Sequence, residues 1–375
     1  MNKFDDIRPF YDAEIPAAME RIAKSEHFPL LAQYVYPGQD IEKVKQLLCR
    51  FTTIRDFQLE VMRCVNEQVV ARSTTSFTFD GIDRLDPQKR YLFVSNHRDI
   101  MLDACLLQYA LWQSGHETTE ITFGANLMSS PLVIDIGKSN KMFRVERGGT
   151  PREFYNSSMH LSEYIRYCIT EKNQSVWIAQ RNGRTKDGND QTDQGIIKMF
   201  GMSRHKEPVK ALAELNIVPV SISYEWESCD LLKAREVYLS RTAKYVKQPG
   251  EDLNSILTGV LQPKGAVHIT CCPVITAEDL QSLFEQCDVE SDYNRAVARF
   301  MDDRIIGAYR LTPNNYIAYD LLEGGNAFSD HYTEEQRQIF LKHVDKVNTL
   351  GLSDTDALRE ILLGIYANPV KNKQV

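Results

Sequence analysis

Residues 91–103, Tyr91-Leu92-Phe93-Val94-Ser95-Asn96-His97-Arg98-Asp99-Ile100-Met101-Leu102-Asp103, decide the fold. The apolar start predicts a short buried strand, and the polar Asn-His that follows places an imidazole at the rim of a sheet. Carboxylates stand after the histidine at Asp99 and Asp103. A histidine that accepts a proton near neutral pH needs a group that fixes its tautomer and stabilises its charged form, as an aspartate does in many enzymes. The alternative is a solvated histidine on a surface loop.

Outward from this stretch, short apolar runs alternate with longer helical stretches. This alternation predicts an α/β domain with a largely parallel central sheet and flanking helices. We expect helices in the stretches 103–112, 151–170 and 195–202. We expect strands in the apolar runs at 91–94, 121–123, 142–145, 175–179, 217–222, 237–239 and 267–269.

Both ends of the chain predict helices. Residues 17–23 and 41–48 carry apolar residues at helical spacing, and Thr276 and Thr333 open sequences that resemble capping boxes. We therefore expect a helical N-terminal extension over 1–75, an α/β domain over 76–275 and a helical C-terminal extension over 276–375.

Composition excludes several classes of protein. The 375 residues are 43% apolar and 25% charged, as in a soluble globular protein, and a net charge of −7 argues against nucleic-acid binding. No run reaches the ~20 apolar residues of a membrane span, and residues 1–6 lack the apolar core of a signal peptide. The eight cysteines are scattered along the chain and include no Cys-x-x-Cys pair. This pattern argues against a disulfide framework and against a zinc site. We expect a cytoplasmic protein that holds no metal.

A second block, Phe143-Arg144-Val145-Glu146-Arg147-Gly148-Gly149, places arginine where a predicted strand ends. The planar guanidinium of Arg147 suits a phosphate or carboxylate, and the paired glycines let a ligand approach the backbone. The alternative is a surface ion pair between Glu146 and an arginine.

A third block, residues 180–188, follows the predicted strand at 175–179 and carries Arg181, Arg184 and Lys186 around Gly183. It lies at the carboxyl end of its strand, where ligands bind in open α/β sheets. It suits a phosphate, and the alternative is a solvated basic loop. In the fourth block, 217–221, Pro219 interrupts an apolar run and predicts an edge strand or a strand start.

In this order the four blocks resemble the glycerophospholipid acyltransferase family, which includes the lysophosphatidate and glycerol-3-phosphate acyltransferases. That family has Asn-His-x4-Asp, a block similar to Phe-x-x-Arg, then Glu-Gly-x-Arg, and an apolar block centred on proline. The resemblance covers roughly residues 76–275, and its positions here are His97, Phe143–Arg147, Asn182-Gly183-Arg184 and Pro219.

Two positions depart from the family pattern. The spacing in the family places the aspartate of the first block at position 102, which is Leu102 in this chain. We therefore favour Asp103 as the partner of His97 and keep Asp99 as the alternative. Asn182 stands where the family has glutamate, and an amide keeps the shape but loses the charge.

The resemblance implies an O-acyltransferase of the phospholipid-biosynthesis type. A fatty acyl group would pass from acyl-CoA or acyl carrier protein, as co-substrate, to a hydroxyl of a glycerophosphate-like lysophospholipid acceptor, without a tightly held cofactor. His97 would be the general base, with Asp103 orienting it. Arg147 and Arg184 would bind the acceptor phosphate, with Arg181 and Lys186 as weaker candidates, and N–H groups near Gly183 would stabilise the oxyanion.

An amphiphilic acceptor implies peripheral contact with the cytoplasmic face of a membrane. The candidate apolar surfaces are Leu127-Met128, residues 131–134 and the N-terminal helices. The sequence assigns no oligomeric state.

Two other classes compete with this interpretation. A non-catalytic lipid-binding or scaffold protein that retains the acyltransferase fold would explain Asn182 and the displaced aspartate. A serine hydrolase is disfavoured, because no Gly-x-Ser-x-Gly sequence is present and Ser95 stands too close to His97.

Overall fold

The computed structural model describes residues 2–128, 130–146 and 148–374. At its centre these residues form a seven-stranded sheet. The strands are β1 (Thr74–Asp80), β2 (Leu92–Ser95), β3 (Glu120–Gly124), β4 (Met142–Val145), β5 (Val176–Ala179), β6 (Ile217–Tyr224) and β7 (Gly265–Cys271).

The spatial order of the strands is β1-β7-β6-β2-β5-β3-β4. Every neighbouring pair is parallel except β6 and β7, which run antiparallel. The predicted α/β fold with a largely parallel sheet is therefore confirmed.

Helices flank the sheet and form both ends of the chain. Those before the sheet are α1 (Ile15–Ala23), α2 (Phe28–Val35), α3 (Ile41–Leu48), α4 (Ile54–Phe57) and α5 (Arg63–Ser73), with a π-helical turn (Gln58–Met62) between the last two. Those within the sheet region are α6 (Leu102–Gln113), α7 (Pro131–Ser139), α8 (Pro151–Thr170), α9 (Gln194–Gly201), α10 (Pro208–Ala213), α11 (Asp230–Ser240) and α12 (Glu251–Leu261). Those after it are α13 (Ala277–Glu285), α14 (Glu290–Ala308), α15 (Pro313–Glu323), α16 (Glu334–Val344) and α17 (Thr355–Gln374).

The sheet is buried on both faces. Leu92 and Val94 pack with α8, α9 and α14, whereas Phe93 between them packs with α5 and α6. A strand buried on both sides loses the alternation of apolar and polar residues and becomes a continuous apolar run. This explains why the sequence predicts the central strands.

Two sequence predictions about strands are wrong. Residues 237–239 lie inside α11, where Val237 and Tyr238 pack against the C-terminal helices. A three-residue apolar run does not distinguish a strand from a buried helix segment.

Pro219 lies in β6, a central strand rather than an edge strand. The ladder between β6 and β7 begins one residue later, where Val220 pairs with Cys271. The missing N–H of the proline therefore removes no bond from that ladder.

The helical ends pack onto the sheet region. The N-terminal helix α1 lies against α7, and Arg21 forms an ion pair of 2.6 Å with Asp135. The C-terminal helices α15–α17 pack against α11, and Thr276 and Thr333 form the predicted capping boxes. The domain boundaries near residues 75 and 275 stay a prediction.

The helix α17 also contacts the loop that follows β5. Gly188 in that loop has φ of +77°, and a Cβ atom there would lie 2.1 Å from the carbonyl oxygen of Ile365. Only glycine fits this position without displacing the helix backbone. Among the described residues, no helix is both long and apolar enough to cross a bilayer.

We expect Gly188→Ala to lower the free energy of unfolding by about 2–4 kcal/mol, because it adds a backbone clash to left-handed strain. Gly115→Ala is the matched control, since Gly115 has the same φ of +77° with nothing within 4 Å of its Cβ position. The control should cost about 1 kcal/mol. Urea unfolding of both variants measures the difference, and equal losses would contradict the contact with α17.

Candidate active site

His97 follows the carboxyl end of β2, and Asp103 in the first turn of α6 holds its ring. The ring Nδ1 lies 2.8 Å from Oδ2 of Asp103, whose side chain is fully buried. With Nδ1 held by a carboxylate, Nε2 is the ring nitrogen left to meet a substrate.

Three further donors fix the carboxylate of Asp103. Oδ2 accepts the backbone N–H groups of Arg98 and Asp99, at 2.6 and 2.9 Å. Oδ1 accepts the hydroxyl of Tyr224, on β6, at 2.9 Å. Burial, reinforced by the charge of Asp103, raises the pKa of Tyr224 well above its usual value, so the hydroxyl keeps its proton and donates.

Asp99 has a different function in this turn. Its Oδ1 accepts the N–H groups of Met101 and Leu102, each at 2.8 Å, and Oδ2 accepts the hydroxyl of Ser228. The extra residue before Asp103 is therefore accommodated in the turn that opens α6. Leu102, where the family pattern has aspartate, is buried in the core.

His97 lines a cleft that is open to solvent. Trp177 of β5 forms part of its wall, with its ring edge-on to the imidazole at a centroid distance of 6.0 Å. Its indole N–H donates to the hydroxyl of Ser95 at 3.1 Å. The cleft therefore lies at the carboxyl ends of β2 and β5. In sheets of parallel strands, ligands bind at this edge.

Gly183 and Arg184 line the same cleft. Nη1 of Arg184 is buried and has no hydrogen-bond partner among the residues that the structure describes. A guanidinium stays charged at any ordinary pH, so a buried donor without a partner favours an anionic ligand. Arg184 also lines a second cavity, shared with Arg235 and Tyr245.

Three other predicted binding residues, Arg181, Asn182 and Lys186, do not line the His97 cleft. Arg181 and the exposed Asn182 precede Gly183 in the loop, and Lys186 forms an ion pair with Glu236 on α11. Arg147 lies outside the described residues, and its predicted function stays a prediction.

A surface ion pair was the alternative interpretation of the second block, residues 143–149, and an ion pair of this kind is present. Glu146 pairs with Arg144 at 2.6 Å, and both side chains are about half exposed. A pair this exposed contributes little to stability. It involves Arg144 and therefore gives no information about Arg147.

A larger cavity lies between α5 and α6 and does not include His97. We assign the site to the smaller cleft, because that cleft holds the imidazole of His97 and the guanidinium of Arg184, whose Nη1 has no partner in the described part of the chain. Among the described residues, no group of three or more His, Cys, Asp or Glu side chains is placed to hold a metal ion.

Arg98, next to His97, belongs to a buried ion network. Its guanidinium contacts Oδ2 of Asp190 at 2.5 Å and Oε2 of Glu227 at 3.1 Å. Lys233 completes the network, 2.5 Å from Oε1 of Glu227, and also donates to the carbonyl of Arg98. Two cations and two carboxylates balance in charge and hold together the segments that follow β2, β5 and β6.

The C-terminal helices join this network through Tyr366 of α17. Its hydroxyl accepts the N–H of Glu227 at 3.1 Å and donates to Oδ2 of Asp230 at 2.7 Å. His343 of α16 contacts the same oxygen at 2.5 Å. The C-terminal extension therefore contacts the segments that position the site.

Sequence reasoning missed several residues of the site. Tyr224 ends β6, two residues beyond the predicted strand at 217–222, and no motif marked it. Lys247 and Asp252 form an ion pair at the cleft, and Asp252 also accepts from Asn126 at 3.2 Å. No motif marks these last residues.

With the geometry established, comparison with known proteins identifies the domain. Residues 76–223 match the family model described as Acyltransferase. These residues form an acyltransferase domain. This confirms the resemblance drawn from the four blocks, and the domain contains His97, Asp103 and Arg184.

The chain is also similar to a solved structure, the 1-acyl-sn-glycerophosphate (LPA) acyltransferase PlsC from Thermotoga maritima. The two are 11% identical with a TM-score of 0.36, over 77% of this chain and 94% of that chain. No curated protein matches the chain.

We expect Glu227→Gln to lower the free energy of unfolding by about 3–5 kcal/mol, because it leaves Lys233 and Arg98 with one carboxylate between them in a buried setting. The control is Arg295→Ala, which removes an exposed pair with Asp292 and should change stability by less than ~1 kcal/mol. Denaturant unfolding measures both. A loss for Glu227→Gln no larger than the control would show that the network contributes nothing.

Proposed function

We propose that the acyltransferase domain moves a fatty acyl group from a thioester, acyl-CoA or acyl carrier protein, to a hydroxyl of a glycerophosphate-like lysophospholipid acceptor. One observation carries the proposal. His97, whose ring is held by Asp103, lines a single cleft with Arg184, whose Nη1 has no partner among the described residues. This supports a reaction in which a base acts on the hydroxyl of a molecule that also carries a phosphate.

The base is His97, because an alcohol is too weak a nucleophile at neutral pH. Nε2 takes the hydroxyl proton as the oxygen attacks the thioester carbonyl carbon. The tetrahedral intermediate collapses, the C–S bond breaks, and the imidazolium returns the proton to the departing thiolate. Asp103 fixes the tautomer and stabilises the imidazolium, and the thioester's good leaving group makes an acyl-enzyme unnecessary.

Arg184 is the group that binds the acceptor phosphate. Its guanidinium fork matches phosphate oxygens in pairs, and its buried Nη1 lacks any other partner among the described residues. Gly183 beside it has φ of +79° with nothing within 4 Å of its Cβ position, which leaves room for a carbonyl to approach the backbone. Backbone N–H groups here would stabilise the oxyanion of the intermediate.

The proposal includes a place in phospholipid synthesis and peripheral contact with the cytoplasmic face of a membrane. Leu127, Met128 and Val133, candidates for that contact, pack partly against the core instead.

We expect His97→Ala to lower the rate of thiol release from acyl-CoA, with lysophosphatidate or glycerol 3-phosphate as acceptor, by about 10²–10⁴-fold. A thiol reagent follows the release, and lipid mass spectrometry separates acyl transfer from hydrolysis. His205→Ala, which removes an exposed histidine, should keep the parent rate. If the parent protein shows no release above His97→Ala with any acceptor, the non-catalytic lipid-binding alternative replaces the enzyme.

We expect Arg184→Ala to raise the KM for the acceptor by about tenfold or more and to change the KM for the donor much less, because a buried phosphate contact is lost. Arg181→Ala is the matched control, as the same residue type in the same loop but outside the cleft. Initial rates at varied acceptor and donor concentrations measure both constants. A rise in the donor KM alone would place the acceptor phosphate elsewhere.

A further inference from the structure

The helix α12 exposes leucine on one side. Leu253, Leu257 and Leu261 are 58%, 52% and 67% exposed. They stand four residues apart and therefore form one stripe about 12 Å long.

The fully buried positions of α12 carry small residues, and Val260 packs partly against the core. Ser255 and Gly259 are buried, and a Cβ on Gly259 would lie 2.1 Å from Oδ2 of Asp99. A helix that faces water buries its apolar residues and exposes its polar ones. Here leucines face outward while the other side packs against the turn that holds His97.

The segment before α12 adds cations and another apolar side chain. Arg241 and Lys244 are exposed, and neither forms an ion pair with a described carboxylate. Val246 is 70% exposed. We call Val246, the three leucines of α12 and the two cations the leucine surface.

The acidic residues at the start of α12 are already engaged. Glu251 accepts the hydroxyl of Tyr245 at 2.8 Å, and Asp252 pairs with Lys247. Lys247 neutralises Asp252, whereas Glu251 keeps its charge because its partner is a neutral hydroxyl. Arg241 and Lys244 outweigh this one carboxylate, so the net charge beside the leucines is positive. Apolar side chains flanked by unpaired cations match the acyl boundary and anionic headgroups of a bilayer.

The leucine surface adjoins the His97 cleft. Lys247 and Asp252 line that cleft, and Asp252 lies on α12 itself. A molecule held at the leucine surface would thus have the cleft beside it.

We infer that the leucine surface docks the protein onto an anionic lipid bilayer, with the leucines in the headgroup–acyl boundary and Arg241 and Lys244 among the headgroups. The choice of a bilayer over a protein partner rests on the charge and on the proposed function, whose acceptor is amphiphilic. The His97 cleft then lies beside the bilayer, which holds the acceptor.

Sedimentation with vesicles of phosphatidylcholine, with and without phosphatidylglycerol, tests the docking on the full chain. The parent should bind vesicles that contain phosphatidylglycerol. The variant Leu253→Gln/Leu257→Gln/Leu261→Gln should bind them at least about tenfold more weakly, and Arg241→Glu/Lys244→Glu should lose the preference for phosphatidylglycerol.

The matched control is Phe284→Gln/Val289→Gln/Ile339→Gln, which removes three exposed apolar side chains from the C-terminal helices and should bind as the parent does. Equal binding by the leucine variant and the parent overturns the inference. So does a parent that binds no vesicles. A parent dimer that the leucine variant abolishes, without vesicle binding, would make the surface a self-association interface and also overturn it.

Thiol release separates this inference from the proposed function. With water-soluble glycerol 3-phosphate, the leucine variant should keep the parent rate, whereas with lysophosphatidate in vesicles its rate should fall with its binding. A parent that binds vesicles through the leucines but releases no thiol would contradict the proposed function and leave the docking intact.

Discussion

The hydrogen bonds to the carboxylate of Asp103 set the geometry of the whole site. A buried carboxylate is costly unless donors satisfy its oxygens, and here the donors come from the ring of His97, two N–H groups of the following turn and Tyr224 of β6. Because β6 lies beside β2 in the sheet, the position of the imidazole depends on strand pairing and not only on its own loop. Nε2 of His97, the ring nitrogen that does not contact Asp103, therefore faces the cleft.

Arg98 and Arg184 differ in whether their donors have partners, and this difference separates a structural arginine from a binding one. Arg98 is almost fully buried, and Asp190 and Glu227 neutralise it. Arg184 is half-buried, and one of its donors has no partner among the described residues. A guanidinium whose donors are saturated holds elements together, whereas one with a donor to spare attracts an anion. The sequence alone does not distinguish the two, since both follow strands and both neighbour polar residues.

Much of the fold could be predicted because the central strands are continuous apolar runs and the long helices carry clear caps. The run at 237–239 was misassigned, since its burial comes from the distant C-terminal helices. The choice between Asp99 and Asp103 needed the path of the turn, in which Asp99 binds N–H groups at the start of α6. Lys186 is occupied by Glu236, fifty positions further along, a contact that no local pattern reveals. The exposure of leucines on α12 likewise contradicts the usual link between hydrophobicity and burial.

The contact of Gly188 with the backbone of Ile365, and that of Glu227 with Tyr366, has a consequence for synthesis on the ribosome. The loop after β5 is translated long before α17, and domains acquire their structure as the chain emerges. Until residues around 365 leave the exit tunnel, the loop lacks the surface against which it packs. A nascent chain that has completed its sheet therefore still lacks the helix against which the loop after β5 packs.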